Sequence, residues 1–200
     1  MQYEQEKHKN EIKVLADTIK RHCPNAKENE VQLICDIFEL KHLVKGDIIK
    51  KSDKQIPFIN FLISGSVRFF VISKKGDETT YRIVDYPTFV DDKLFRDFKN
   101  MPTMTIECIE KCTILEAKSS DFKRLLNSNL TLNIFLRNIM MEEVADFMNS
   151  ILSFFSEEAD GRYKQLIEKY PHYLKNHPLK YIASMIGITP TQLSRIRKKK

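Results

Sequence analysis

The chain has 200 residues, a formal net charge of +6, and a composition 42% hydrophobic and 30% charged, enough apolar material for one large or two small domains. No run of about 18 apolar residues occurs, which excludes a membrane-spanning helix, and the N-terminal MQYEQEKHKN has no apolar h-region, so a cytoplasmic protein without a secretory signal is expected. The charge is uneven: from Arg162 to Lys200 ten Lys or Arg stand against one acid, Glu168, a balance of +9 that leaves −3 for the first 161 residues and points to a polyanion partner for the C-terminal segment alone.

In chain order, Ile12, Leu15, Ala16 and Ile19 predict a helix over residues 1–23. Pro24 ends it. Asn25 with Glu28 reads as a cap, and Val31, Ile34, Ile37 and Phe38 predict a second amphipathic helix. The period then changes. From Lys41 to Leu115 short runs rich in Val, Ile, Phe and Thr alternate with turn signals at Lys45-Gly46-Asp47, Ser64-Gly65-Ser66 and Lys74-Lys75-Gly76-Asp77. The last of these predicts a hairpin joining Val67–Ile72 to Thr79–Val84. Val67, Phe69 and Val71 alternate as half-buried strand residues should. Strands at Ile106–Ile109 and Thr113–Ala117 complete the pattern of an antiparallel barrel or roll. Cys23, Cys35, Cys108 and Cys112 form no CxxC pair. Reduced, buried thiols are expected, and neither a metal site nor a cofactor.

Helix returns with a short capped piece, Ser119–Asn127, and a long helix, Leu130 to Phe155. Leu132, Phe135, Leu136 and Ile139 form one apolar stripe, suited to packing on the roll. Met140, Val144, Phe147, Ile151 and Phe154 step by 4, 3, 4, 3, the spacing of a coiled-coil seam. That helix therefore has two apolar faces and calls for two partners, the second of them expected to be another copy of the chain unless both faces pack intramolecularly. Ser156 is expected to cap a helix reaching Tyr170, stopped by Pro171.

Residues 179–200, LKYIASMIGITPTQLSRIRKKK, read as helix, tight turn and helix. Gly187 supplies the sharp exit. Thr189 fits an N-cap, Pro190 the first helical position, and Gln192 the reciprocal partner in a T-x-x-Q capping box. Leu193 and Ile196 face inward. Polar and basic residues outward make this the pattern of a helix-turn-helix that enters the DNA major groove. Thr191, Gln192 and Arg195 are the expected base readers, unless the capping box consumes Gln192. Thr189, Lys180, Tyr181, Arg197 and Lys198 to Lys200 are expected on phosphates.

Together these parts resemble the Crp/Fnr superfamily of bacterial transcription regulators. The resemblance is carried by Lys45-Gly46-Asp47 and Phe61-Leu62-Ile63-Ser64-Gly65-Ser66-Val67-Arg68 in the roll. At the C-terminus it is carried by Arg162-Tyr163, Leu166, Pro171 and Tyr181 through Arg197, which are similar to a branch common in Bacteroidetes. The resemblance implies an α+β protein. Residues 1–127 would form an antiparallel β-roll sensor domain of the cyclic-nucleotide-binding type with flanking helices. Residues 128–155 would form a long dimerisation helix, and residues 156–200 a small all-α helix-turn-helix domain. It also implies a homodimer on double-stranded DNA, RNA polymerase as a further partner, and a small-molecule effector.

Members that bind cyclic nucleotide use a Gly-Glu start and an Arg-Ser or Arg-Thr step in a phosphate-holding loop. Here Asp91 stands in place of the glycine, Asp92 falls at the glutamate position, and Pro102-Thr103 occupies the arginine step. Pro102 offers neither a charge nor a backbone donor. No glycine occurs between Gly76 and Gly161. Arg96 and Lys93 could hold an anion, but Asp91, Asp92 and Asp97 oppose one. The pocket is therefore expected to be degenerate. Haem held by His22, His42 or a cysteine is a lesser possibility. No Ser/His/Asp order or phosphate loop is present, so no enzyme is expected. The rival reading is a small-ligand sensor or protein-binding module without sequence-specific DNA binding.

Overall fold

The computed structural model describes residues 2–52, 56–91 and 104–198, with side chains from Lys9 onward. Two helices, α1 (Gln2–His22) and α2 (Glu28–Cys35), precede eight strands. These are β1 (Phe38–Leu43), β2 (Ile48–Lys50), β3 (Phe58–Ser64), β4 (Val67–Ile72), β5 (Glu78–Val84), β6 (Thr88–Phe89), β7 (Thr105–Cys108) and β8 (Cys112–Lys118). They form two four-stranded sheets, in the orders β1-β8-β3-β6 and β2-β7-β4-β5. The pairs β1–β8, β8–β3, β3–β6 and β2–β7 are antiparallel. Apart from the β4–β5 hairpin, each connection carries the chain from one sheet to the other, which is how a roll differs from a stack of hairpins.

Three of those crossings meet at one corner. Gly46 donates its N–H to the Cys108 carbonyl at 2.8 Å, and Cys108 returns one to the Asp47 carbonyl at 2.9 Å. Ile109 donates to the Ser66 carbonyl at 2.9 Å, and the Cys112 thiol lies 3.3 Å from that same oxygen. Gly65, at φ +93°, has no room for a side chain: a Cβ would overlap the Lys111 carbonyl oxygen and stand 2.7 Å from the Cys112 Cα. The Lys45-Gly46-Asp47 and Ser64-Gly65-Ser66 signals therefore close the end of the roll together.

One face of β3 and β8 packs on helices. Ile59, Phe61, Ile63, Leu115 and Ala117 join Leu15 and Ile19 of α1 and Ile34 of α2 in one core. Phe61, Phe89 and Phe135 lie with ring centroids 5.1–6.5 Å apart. Fully burying one such ring contributes about 1.5–3 kcal/mol. All four cysteines are buried and free. Burial pushes the Cys35 thiol up to about 11. A hydrogen bond between Cys108 and Cys112 raises the first thiol and lowers the second.

Helices α3 (Ser119–Leu126) and α4 (Leu130–Ser156) follow, then α5 (Ala159–Lys169), α6 (Tyr173–Asn176), α7 (Leu179–Met185) and α8 (Pro190–Lys198). The chain divides into two compact units, residues 1–68 with 84–142, and 69–83 with 143–200. The long helix thus contributes to both, and the β4–β5 hairpin belongs with the C-terminal helices.

Several local expectations are corrected. Helix α2 starts at Glu28 after Lys27, without a side-chain cap, because Asn25 sits two residues too early. Phe38 opens β1 rather than continuing that helix. In β4 the burial is not alternating: Val67 to Phe70 are all buried, and Val71 and Ile72 are both exposed. The strand runs from the two-sided interior of a roll out to a hairpin tip, so its position along the strand outweighs its parity. Ser119 is inside α3, after a Lys118 that makes no side-chain cap, and Ser156 ends α4 while Glu158 precedes α5. The start of α4 is capped instead by Asn129, whose Oδ1 accepts the Leu132 N–H at 2.8 Å.

Candidate nucleic-acid interface

The C-terminal unit is built around a capped turn. Helix α7 buries Ile182 and Ala183, and α8 buries Leu193. Between them Gly187 takes φ +69°, and a Cβ there would meet Phe154 Cε1 at 2.7 Å. The glycine is needed twice, for its backbone angle and for the ring of α4 that lies on it. Thr189 and Gln192 then exchange the bonds of a capping box. The Thr189 N–H donates to Gln192 Oε1 at 2.8 Å, and the Gln192 N–H donates to Thr189 Oγ1 at 3.2 Å. Two of the orphan donors at the start of α8 are satisfied locally, a device worth about 1 kcal/mol.

Arg162 braces this turn. Its Nε donates to the Ile186 carbonyl at 2.9 Å and its Nη1 to the Glu157 carbonyl at 2.8 Å. Its guanidinium stands 4.8 Å from the Phe154 ring centroid. One side chain therefore ties the end of α4 to the carbonyl just before the turn glycine. The resemblance marks Arg162-Tyr163 without giving either residue a task. Tyr173, fully buried, carries no such mark. It stacks on Tyr170 at 4.5 Å and donates its hydroxyl to the Ile83 carbonyl at 2.9 Å, anchoring α6 to the β4–β5 hairpin. Nothing in the sequence around Tyr173 signals this, since its partner is a backbone oxygen 90 residues away.

The predicted base readers Thr191, Gln192 and Arg195 are all exposed on α8, as are Thr189, Arg197 and Lys198. Lys180 is exposed with its ammonium 4.9 Å from the ring centroid of half-buried Tyr181. Lys199 and Lys200 lie outside the described residues. On α4 the inward stripe is buried, with Leu132 and Phe135 at 0% exposure. The predicted seam is open: Val144 is 46%, Phe147 57% and Phe154 47% exposed, and Met140 and Ile151 are half-buried. Phe154 also serves the chain itself through Gly187 and Arg162. A further apolar row, Met141, Met148 and Phe155, is exposed beside the seam. Its spacing of seven is visible in the sequence, but each member sits next to a seam residue and is masked by it.

In the roll, Asp91 is buried, while Asp92, Arg96, Pro102 and Thr103 lie outside the described residues. Alternation along β3 puts Asn60 and Leu62 on the face opposite the helical core, and both are buried. Asn60 Nδ2 has no hydrogen-bond partner among the described residues. Arg68, also buried, holds Glu107 through Nε at 2.5 Å. Lys50 donates to the Met104 carbonyl at 3.2 Å. The two histidines considered for haem are engaged otherwise. His22 lies 2.9 Å from the Thr18 carbonyl through Nδ1 and 3.2 Å from Glu142 Oε2 through Nε2. His42 Nδ1 lies 3.3 Å from Thr113 Oγ1. No helix among the described residues is long and apolar enough to cross a membrane.

Residues 40–129 match the cyclic nucleotide-binding domain family. No curated protein sequence matches the chain. Among solved structures, a protein assigned to the Crp/Fnr family of transcriptional regulators from Eubacterium rectale superposes with a TM-score of 0.69 at 16% identity, over 88% of this chain and 84% of its own. FixK2 from Bradyrhizobium japonicum gives 0.68 at 13%, over 82% and 84%. The c-di-GMP responsive global regulator CLP from Xanthomonas campestris gives 0.66 at 13%, over 86% and 91%. The chain thus carries a cyclic nucleotide-binding-type β-roll followed by C-terminal helices, and has the fold of the Crp/Fnr transcription regulators.

Proposed function

We propose that the protein is a homodimeric, DNA-binding transcription regulator whose roll is a sensor with a degenerate cyclic-nucleotide pocket. The observation that carries this reading is the capped, basic α8, whose preceding turn is tied through Gly187 and Arg162 to Phe154 on the exposed apolar face of α4. Residues 156–200 act as the DNA-binding domain, residues 128–155 as the dimerisation helix, and residues 1–127 as the sensor. Pairing two copies through Met140, Val144, Phe147, Ile151 and Phe154 presents two recognition helices to adjacent major grooves, about 34 Å apart. Arg162 transmits the position of the seam helix to the turn. Thr191 and Arg195 read bases; Thr189, Lys180, Tyr181, Arg197 and Lys198 hold phosphates. The functions named for the structural neighbours support this assignment. Selection of bound duplexes from a random pool is the direct test. Enrichment of an inverted repeat is expected; no enrichment together with salt-independent binding would favour a protein-binding module instead.

For the sensor, Asp91 and Pro102 fall in the sequence at the glycine and arginine positions of the family's phosphate loop, and the buried Arg68 already holds Glu107 at 2.5 Å. Cyclic AMP or cyclic GMP at millimolar concentration is expected to leave the melting temperature unchanged. A micromolar site would add about 4 kcal/mol at a thousandfold excess, so calorimetry separates the two outcomes clearly. The CLP neighbour responds to c-di-GMP, which supports an effector other than a cyclic mononucleotide.

A further inference from the structure

The joint between the seam helix and the helices after it is short. Glu157 and Glu158 alone separate α4 from α5, a link that makes the two helices neighbours and leaves several angles open between them. Arg162, in the first turn of α5, narrows that choice. Its Nη1 donates to the carbonyl of Glu157, the first residue past α4, at 2.8 Å. Its Nε donates to the Ile186 carbonyl, at the end of α7, at 2.9 Å. The same planar group lies 4.8 Å from the ring centroid of Phe154 on α4. A guanidinium presents its donors at fixed angles, so both bonds are made together only within a narrow range of placements of α4, α5 and α7. At the other end of α5, Lys169 pairs with Asp146 of α4, and the Tyr170 hydroxyl lies 3.5 Å from the same carboxylate. Asp146 precedes Glu157 by 11 residues and α5 is 11 residues long, about 16 Å in each case. Helix α5 therefore runs back along α4 and is tied to it at both ends. The turn into α8 follows Ile186 directly, and Gly187 leaves room there for the Phe154 ring.

We infer that Arg162 is the positioning residue that sets operator spacing: by locking the helix-turn-helix to the seam helix, it makes the dimer accept one half-site separation and reject operators one base pair longer or shorter. This rests on the homodimeric DNA-binding reading and adds to it a rule for the spacer, which no base contact supplies. One base pair moves a half-site by about 3.4 Å along the duplex and turns it by about 35° around the axis. A dimer meets that change in two ways: each helix-turn-helix swings on its seam helix, or the DNA bends and twists at a cost in deformation energy. A swing strains both Arg162 bonds, because N–H···O bonds weaken steeply once bent below about 120°. Both bonds are part-buried, where a lost partner costs more than it does in open water. With the clamp intact, α8 is presented at one angle to α4, and the second half-site is engaged only where the spacer matches. Without Arg162 the two-residue link is free to swing, and the dimer follows the spacer.

The test uses the inverted repeat selected by the full-length wild type, together with the same repeat carrying a spacer one base pair shorter or longer. Each duplex is titrated with wild type, Arg162→Ala and Arg162→Lys, and sedimentation checks that each variant is still a dimer. Lysine keeps a charge beside Phe154 but has no fork to bond two carbonyls at once, so it carries the test where the alanine variant fails to fold. The wild type is expected to lose roughly tenfold or more in affinity on either altered spacer, as the second half-site drops out of register. Both variants are expected to lose affinity on the selected spacer and not on the altered ones, so that the ratio between spacers falls toward one. An isolated half-site is titrated alongside, because a damaged turn lowers that affinity and leaves the spacing ratio alone. A wild type that binds all three spacers alike would overturn the spacing assignment. So would variants that weaken the half-site and all three spacers in equal proportion, which makes Arg162 a structural brace only. Failure of the wild type to enrich any inverted repeat would instead overturn the DNA-binding reading.

Discussion

Phe147→Asp is expected to convert a dimer near twice 23.6 kDa into a monomer. Phe147 lies midway along the exposed part of α4, 57% exposed in the isolated chain, flanked by Val144 and Ile151 on the same stripe. Covering that stripe with its copy would remove several large side chains from water, each worth about 1.5–3 kcal/mol when fully buried. A carboxylate at the centre reverses the sign, since burying an unpaired charge costs several kcal/mol and the two-fold axis brings two of them together. Asn149→Asp places the same charge on the opposite face of the helix, and it should leave the assembly unchanged. Sedimentation velocity at micromolar concentration distinguishes these species. Breaking the dimer should also weaken operator binding by about two to four orders of magnitude, because the second half-site is no longer held at high effective concentration. A wild type that sediments as a monomer at high micromolar concentration would remove the seam from the proposal.

What is legible in the sequence follows from how local each signal is. The helix-turn-helix is readable nearly residue by residue, because Gly187, Thr189, Pro190 and Gln192 act on neighbours within four positions. The two stripes of α4 are readable for the same reason. The β4 boundaries, Val67–Ile72, coincide with the predicted ones. The roll itself is visible only as a series of short strands. The corner where Gly46, Ser66 and Cys108 take part in backbone bonds joins segments roughly 40–60 residues apart, and no periodicity reports it. A turn signal such as Lys45-Gly46-Asp47 says that the chain turns, but not that it turns into the other sheet. The caps at Asn25, Ser119 and Ser156 fail because serine and asparagine also occur within and beside helices, where they cap nothing. The one cap with a reciprocal partner three residues on that holds is Thr189 with Gln192. Arg162 and Tyr173 give no signal of their roles because each bonds to a backbone carbonyl, which carries no sequence signature.

Arg195→Ala is expected to weaken the best operator by roughly ten- to a hundredfold while changing affinity for random DNA far less. Arg195 is exposed on α8, one turn beyond Thr191 and three residues after the capped Gln192. From there a guanidinium can fork onto the N7 and O6 of a guanine, worth about 1–3 kcal/mol of discrimination at that base pair. Lys198, Lys199 and Lys200 differ in kind, being three adjacent charges past the last inward-facing residue of the helix. Their removal should weaken operator and random DNA alike. It should also flatten the dependence of log affinity on log salt by up to about 0.9 for each phosphate that is no longer neutralised. Titrating both variants on both duplexes at several salt concentrations separates the two roles: Arg195→Ala changes the ratio of specific to random affinity, and the lysine deletion changes the salt slope. An equal weakening on the two duplexes for Arg195→Ala would make it a phosphate contact and leave Thr191 as the base reader of α8.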